Sequence, residues 1–85
     1  MLDKKGTVMS YNGHKNYNYW NVALWLGNDE GLYNLTREHV RRARTKDEAA
    51  KRIVADLAEL GFTKTPDGAP YSYNAVRAAI AGDAF

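Results

Sequence analysis

The residues able to do chemistry in this chain are sparse and scattered. The two histidines, His14 and His39, lie in different segments, no H-E-x-x-H spacing occurs and there is no cysteine, so neither a metal site nor a disulfide is expected. Asp29 and Glu30 are adjacent acids. Neighbours at a helix start point in different directions, and both suit the positive end of a helix dipole better than paired acid–base work. Ser10 and Ser72 have no identifiable base partner, and no G-x-S-x-G, P-loop or G-x-G-x-x-G phrase is present. The expectation is a non-enzymatic protein with no catalytic residue, no metal, no cofactor and no small-molecule substrate.

What the chain does carry is binding chemistry. Residues 37–52 hold seven basic side chains (Arg37, Arg41, Arg42, Arg44, Lys46, Lys51, Arg52) against three acids, although the net charge of the whole is only +2. Residues 53–85 reverse the balance, with Lys64 and Arg77 against Asp56, Glu59, Asp67 and Asp83. A local basic patch attracts nucleic acid or an acidic protein; its plainer reading is a solvated helix face. The stretch from Asn16 to Tyr33 gathers both tryptophans and three of the six tyrosines. Aromatics carry the largest apolar area per residue, so Trp20, Leu24 and Trp25 are expected in the core. Tyr17, Tyr19 and Tyr33, comfortable half exposed, are candidates to face a protein partner.

Positioning these groups takes about four short helices in one mainly α domain over residues 16–85, preceded by a polar arm at 1–15. In that arm Thr7-Val8-Met9 is a candidate short strand and Asn12-Gly13 a turn signal. Asn16 or Asn18 can cap a first helix running to about Leu26, which Gly27 is placed to end or at least to bend, with Trp20, Ala23 and Leu24 on one face and Val22, Trp25 and Leu26 widening it. Asn28 or Asp29 caps a second helix whose inner stripe is Leu32, Leu35, His39, Val40 and Ala43. Arg37, Arg41 and Arg44 share its outer stripe at i, i+4 and i+7.

Thr45-Lys46-Asp47-Glu48 is a capping box for a third helix, Glu48 reaching back to Thr45. Ala49, Ala50, Ile53, Val54, Leu57 and Leu60 face inward along it, and Gly61 stops it. Thr65-Pro66-Asp67-Gly68 is a turn, flanked by segments able to form a short irregular ribbon near 62–71. Ser72 caps a last helix over 73–81, with Tyr73, Val76 and Ile80 inward.

Eighty-five residues make one domain with a thin stability margin. Its apolar share of 45% argues against wholesale disorder. No apolar run approaches the ~20 residues of a membrane span, and no h-region follows the first residues. The expected setting is soluble, in the cytoplasm of a host cell, with no membrane partner.

Two resemblances sharpen the partner. Asn12-Gly13-His14-Lys15-Asn16, then Trp20-Asn21-Val22-Ala23-Leu24-Trp25-Leu26 and Asn28-Asp29-Glu30-Gly31-Leu32-Tyr33, resemble a family of small uncharacterised proteins of bacteriophages and plasmids. That resemblance implies a mobile-element origin and no particular activity; gene context alone, phage genes of this size often encoding non-enzymatic inhibitors of host defence such as anti-CRISPR proteins, points to that kind of role. Ile53-x-x-x-Leu57-x-x-x-Gly61-Phe62, Thr65-Pro66-Asp67-Gly68 and Tyr71-Ser72-x-x-x-Val76-x-x-x-Ile80 resemble the helix-turn-helix-like module of large serine recombinases. This second resemblance implies that Ser72, Tyr73, Asn74 and Arg77 face DNA, with Asn74 and Arg77 approaching bases. Arg37, Arg41, Arg42 and Arg44 would then grip phosphate. Two expectations stand side by side: DNA binding through the C-terminal half, or binding to a host defence protein complex through the tyrosines. The same helix–turn–helix phrase also serves as generic packing of two helices.

Overall fold

The structure, a computed structural model, describes residues 16–82 and 85; the arm at 1–15, with its candidate strand and its Asn12-Gly13 turn, lies outside the described residues. Helix α1 spans Tyr17–Asn28 and is capped by Asn16, whose side-chain oxygen accepts the Tyr19 N–H at 3.0 Å. Gly27 does not end it. The Asp29 N–H still donates to the Trp25 carbonyl at 3.1 Å, and the backbone turns extended only at Asp29 (φ −86°, ψ 123°). That extended residue is also the cap of α2, Glu30–Arg42: Asp29 Oδ1 accepts the Leu32 N–H at 2.9 Å. One residue closes the first helix and opens the second.

Helix α2 ends at Arg42, with Ala43 in extended backbone. Arg44 therefore lies past the helix, and Arg37, Arg41 and Arg44 do not form a single helical stripe. Helix α3, Lys46–Glu59, is capped by Thr45, whose hydroxyl accepts the Glu48 N–H at 3.1 Å. The Glu48 carboxylate reaches one residue further than the capping-box expectation: it accepts the Arg44 N–H at 3.1 Å, not that of Thr45.

At the other end of α3 the chain folds back through Gly61 (φ +86°), with Phe62 N–H donating to the Leu57 carbonyl at 2.7 Å and Gly61 N–H to Ala58 at 3.0 Å. This is the Schellman pattern, which needs a left-handed residue and so favours glycine. It stops the helix before Leu60, which is 59% exposed rather than inward.

The ribbon is a single antiparallel bridge, Lys64 to Pro70, supported by Thr65 N–H to the Ala69 carbonyl (2.8 Å) and Tyr71 N–H to the Thr63 carbonyl (3.0 Å). Gly68 (φ +91°) turns it. Helix α4, Tyr73–Ala79, is capped by the Ser72 hydroxyl and ends two residues sooner than expected. The Lys46 ammonium occupies that end, donating to the Ala81 and Gly82 carbonyls at 3.1 and 2.9 Å. A cation there complements the negative pole of the helix.

The helices pack in a ring, α1 on α2, α2 on α3, α3 on α4 and α4 back on α1. Val22, Leu26, Ala49, Ala50, Ile53, Leu57, Ala69, Tyr71, Ala75, Val76 and Ile80 fill the centre. Trp20, Leu24 and Trp25 are only partly buried; the buried residues of α1 are Asn21, Val22 and Leu26. Helix α1 is apolar on several sides, so its periodicity alone could not select the inward face. On α2 the fully buried residue is Thr36, while Leu32, Leu35, Val40 and Ala43 pack at the edge of the core. His39 joins α2 to α3 through Nε2 and Asp56 Oδ2, 2.5 Å apart.

Gly27 sits inside a helix without a positive φ, and nothing lies within 4 Å of where a Cβ would stand. Gly27→Ala is expected to stabilise the fold by about 0.5–1 kcal/mol, read as a higher urea midpoint at unchanged slope.

Candidate functional site

Asn21 and Trp25 stand one helical turn apart on α1, so both reach the same neighbour, the turn at residues 65–68. The Asn21 amide donates to Asp67 Oδ2 at 3.0 Å, and the Trp25 indole N–H donates to the same oxygen at 3.0 Å. The Thr65 hydroxyl donates to Asn21 Oδ1 at 2.5 Å and accepts the Asp67 and Ala69 N–H groups at 3.2 and 3.0 Å. Asn21 and Thr65 are buried. A buried amide is costly unless its donor and acceptor are both used, and here both are. The two donated hydrogen bonds, from Asn21 first and then Trp25, hold the Asp67 carboxyl below its usual pKa range.

This polar lock fixes one wall of a groove of about 440 Å³. Trp25 and Asp29 come from the end of α1 and the α1–α2 corner, Gly31, Leu32 and Leu35 from the start of α2. Leu60, Phe62, Lys64, Pro66 and Tyr71 come from the end of α3 and the ribbon. Phe62 is 50% exposed and Leu60 more so. Tyr71 is buried; burial, with a smaller contribution from the Asp29 charge, pushes its phenol up from the ordinary value. It is therefore neutral at physiological pH. The groove offers an apolar floor and walls, with Asp29 and Lys64 as its charged lining residues. Among the described residues no group of three or more His, Cys, Asp or Glu side chains stands where it could hold a metal ion. No helix there is long and apolar enough to cross a membrane.

The residues expected from the sequence to bind lie elsewhere. Arg37, Arg41, Arg42 and Arg44 are exposed, Arg37 in the body of α2 and the other three at or just past its end. Glu38 engages both Arg41, at 3.2 Å, and Arg42. Asn74 is exposed on α4, but Arg77 is tied to α3 by an ion pair, its Nε 2.6 Å from Asp47 Oδ1. That guanidinium holds the Asp47 carboxyl below its usual range. Tyr17 is 41% exposed with its ring 5.8 Å from that of Trp20, Tyr19 packs against the core, and Tyr33 packs on Phe85 with ring centroids 5.4 Å apart. None of the three lines the groove.

Sequence reasoning missed Leu60, Phe62 and Tyr71 as groove-lining residues. The available signal was the glycine between Leu60 and Phe62: a left-handed stop turns the chain away from the helix and leaves an apolar residue on either side of it outside the core.

Residues 7–83 match the model of a family of unknown function (DUF7249), and the chain belongs to that family. No curated protein and no solved structure matches it.

Thr65→Val keeps the shape but strands the Asn21 oxygen and two ribbon N–H groups. It is expected to cost about 1–3 kcal/mol in chemical denaturation. Asp67→Asn tests the acid limb. Because the folded pKa of Asp67 is depressed, its contribution is complete above the unfolded value near 3.8 and is lost as pH falls through the lower folded value. Asp67→Asn should therefore flatten the fall in stability below pH 4; Asp47 accounts for part of the slope that remains.

Proposed function

We propose that this member of a family of unknown function is a non-enzymatic binding protein whose ligand is another protein, held in the groove between α1, α2 and the ribbon. The observation that carries the reading is the pair Leu60 and Phe62, left at least half exposed in the lining of an apolar groove in which Trp25 is held in place by a hydrogen bond to Asp67. Aromatic and aliphatic anchors around a preformed pocket are where protein interfaces concentrate their binding energy. Fixing them before the partner arrives lowers the ordering cost of association.

The DNA-binding reading draws less support. Arg77, the base-reading candidate, is paired with Asp47, and Arg41 and Arg42 share Glu38, so part of the cationic charge is already compensated. Helix α4, the candidate reader, has seven residues, with Ala75 and Val76 buried. The mobile-element setting implied by the Trp20–Tyr33 phrase suits an adaptor or inhibitor acting on a host defence complex in the host cytoplasm.

The test places a photo-crosslinking phenylalanine analogue at position 62 and, as a control, at position 52 on the basic side. The expected outcome is one polypeptide crosslinked from position 62 and not from 52, and lost when Leu60→Ser is added. In parallel the purified protein is titrated with random-sequence duplex DNA across a salt series. Binding that falls steeply with salt, and flattens in the Arg41→Ala, Arg44→Ala double variant, would overturn the proposal in favour of DNA.

A further inference from the structure

Lys64 lines the groove and brings to it a strand edge that nothing in the described fold pairs. Lys64 stands opposite Pro70 in the ribbon, but the hydrogen bonds of that bridge belong to its neighbours. The Thr65 N–H donates to the Ala69 carbonyl at 2.8 Å, and the Tyr71 N–H to the Thr63 carbonyl at 3.0 Å. In an antiparallel pair of this kind the central residue turns its own N–H and C=O away from the partner strand, to the outer edge. Among the described residues neither group of Lys64 has a hydrogen-bond partner, and the residue is exposed. The edge is also short. Phe62, two residues earlier, has given its N–H to the Leu57 carbonyl, and Pro66, two residues later, has none to give. A full donor–acceptor pair therefore stands at Lys64 alone, which admits one short segment and stops an open-ended ladder.

A ligand that fills the groove and covers Lys64 removes solvent from this N–H and C=O. It must supply an acceptor and a donor in return or leave both groups buried and unmet. A helix cannot do so with its backbone, whose groups are used within the helix. An extended segment can, and its alternate side chains then point to one side, as an apolar groove requires. From this backbone complementarity we infer that the occupant is a short extended segment of a partner protein. It pairs with the N–H and C=O of Lys64 and seats alternate apolar side chains among Leu32, Leu60 and Phe62. The inference rests on the protein-binding reading of the groove and adds the conformation and patterning of the ligand to it.

The experiment titrates the full chain with two short synthetic peptides of the same leucine and serine content, one with leucine at every second position and the other with leucine at helical spacing. Binding is followed by the Trp25 indole N–H resonance, the amide spectrum and hydrogen exchange at the Lys64 amide. The expected result is saturable binding of the alternating peptide that shifts the Trp25 indole and slows Lys64 exchange tenfold or more, with at least tenfold weaker binding of the other peptide. Lys64→Pro removes the edge N–H and no internal hydrogen bond, and is expected to weaken the alternating peptide tenfold or more. Lys64→Ala removes the side chain, keeps the backbone and is expected to bind as the unaltered chain does. The amide spectrum reports whether Lys64→Pro keeps the fold, and exchange at the unaltered Lys64 tests the pairing without any substitution.

Equal binding of the two peptides at the groove, or a Lys64 amide that exchanges as fast in the complex as in the free chain, would overturn the strand inference and leave the groove reading standing. Failure of both peptides to shift Trp25, or binding that survives Leu60→Ser, Phe62→Ser unchanged, would overturn both. A Lys64 amide already protected in the free chain would overturn the assignment to a partner protein. Protection that grows with protein concentration would identify a second copy as the occupant, and protection lost in Val8→Ser, Met9→Ser would identify this chain's own N-terminal segment.

Discussion

The buried amide of Asn21 sets the rotation of α1, and with it most of what surrounds the helix. An amide in an apolar interior must find a donor and an acceptor or lose about 1–3 kcal/mol for each unmet group. In this fold they come from the Thr65 hydroxyl and the Asp67 carboxylate, both on the ribbon turn. Once Asn21 faces that turn, Trp25, one turn further along, is carried to the same neighbour, and Val22 and Leu26 are left to enter the core. The choice of face that apolar periodicity leaves open is made by one polar side chain. Thr65 doubles the constraint: the hydroxyl that satisfies Asn21 also accepts two N–H groups of its own turn, so helix orientation and ribbon shape are coupled.

The distribution of charge follows from helix chemistry more than from pairing across the fold. Asp29 and Glu30 stand at the positive end of α2, and Arg41 and Arg42 at its negative end, each in the place that the helix dipole favours. The groove takes its one lining carboxylate, Asp29, from this positive end of α2, whereas the last turn of α2 carries His39, Arg41 and Arg42. Other cations act structurally. Lys46 closes the end of α4, and Arg77 reaches back from α4 to Asp47 of α3. These contacts are exposed, and pairs of this kind contribute little to stability; what they do is hold α4 in register against α3.

Much of the architecture was legible because its signals are local. Asn16, Asp29, Thr45 and Ser72 all cap helices as their side chains dictate, Gly61 takes the left-handed stop, and Gly68 turns the ribbon. Where local signals compete, the reading slipped. Gly27 looked like a stop, but stops need a reason to leave helical backbone, and the reason arises two residues later in the cap of α2. Leu60 matched the inward spacing of Leu57 but fell just outside the last turn. The groove was invisible for a different reason. Its walls come from α1, α2, α3 and the ribbon, and no sequence period links Trp25 to Phe62 or Leu32 to Tyr71. The lock that shapes it joins residues 42 to 46 positions apart, which local pattern reading does not see.

The groove's exposed rim also runs against the interest of stability. A domain of this size has a small core, and burying a leucine or phenylalanine contributes roughly 1.5–3 kcal/mol at ordinary transfer values. Leu60 and Phe62 forgo about half of that in the isolated chain, and the Schellman turn at Gly61 is what keeps them out. Other lining residues are held in place: Leu32 lies in the first turn of a capped helix, and Trp25 is tethered by its indole. A small domain that holds an apolar cleft open with fixed backbone and a buried polar lock concentrates its unsatisfied hydrophobic area in one place. The free energy it leaves unrealised there would become available if another chain covered the cleft, which is the physical content of the proposal that this surface binds a protein.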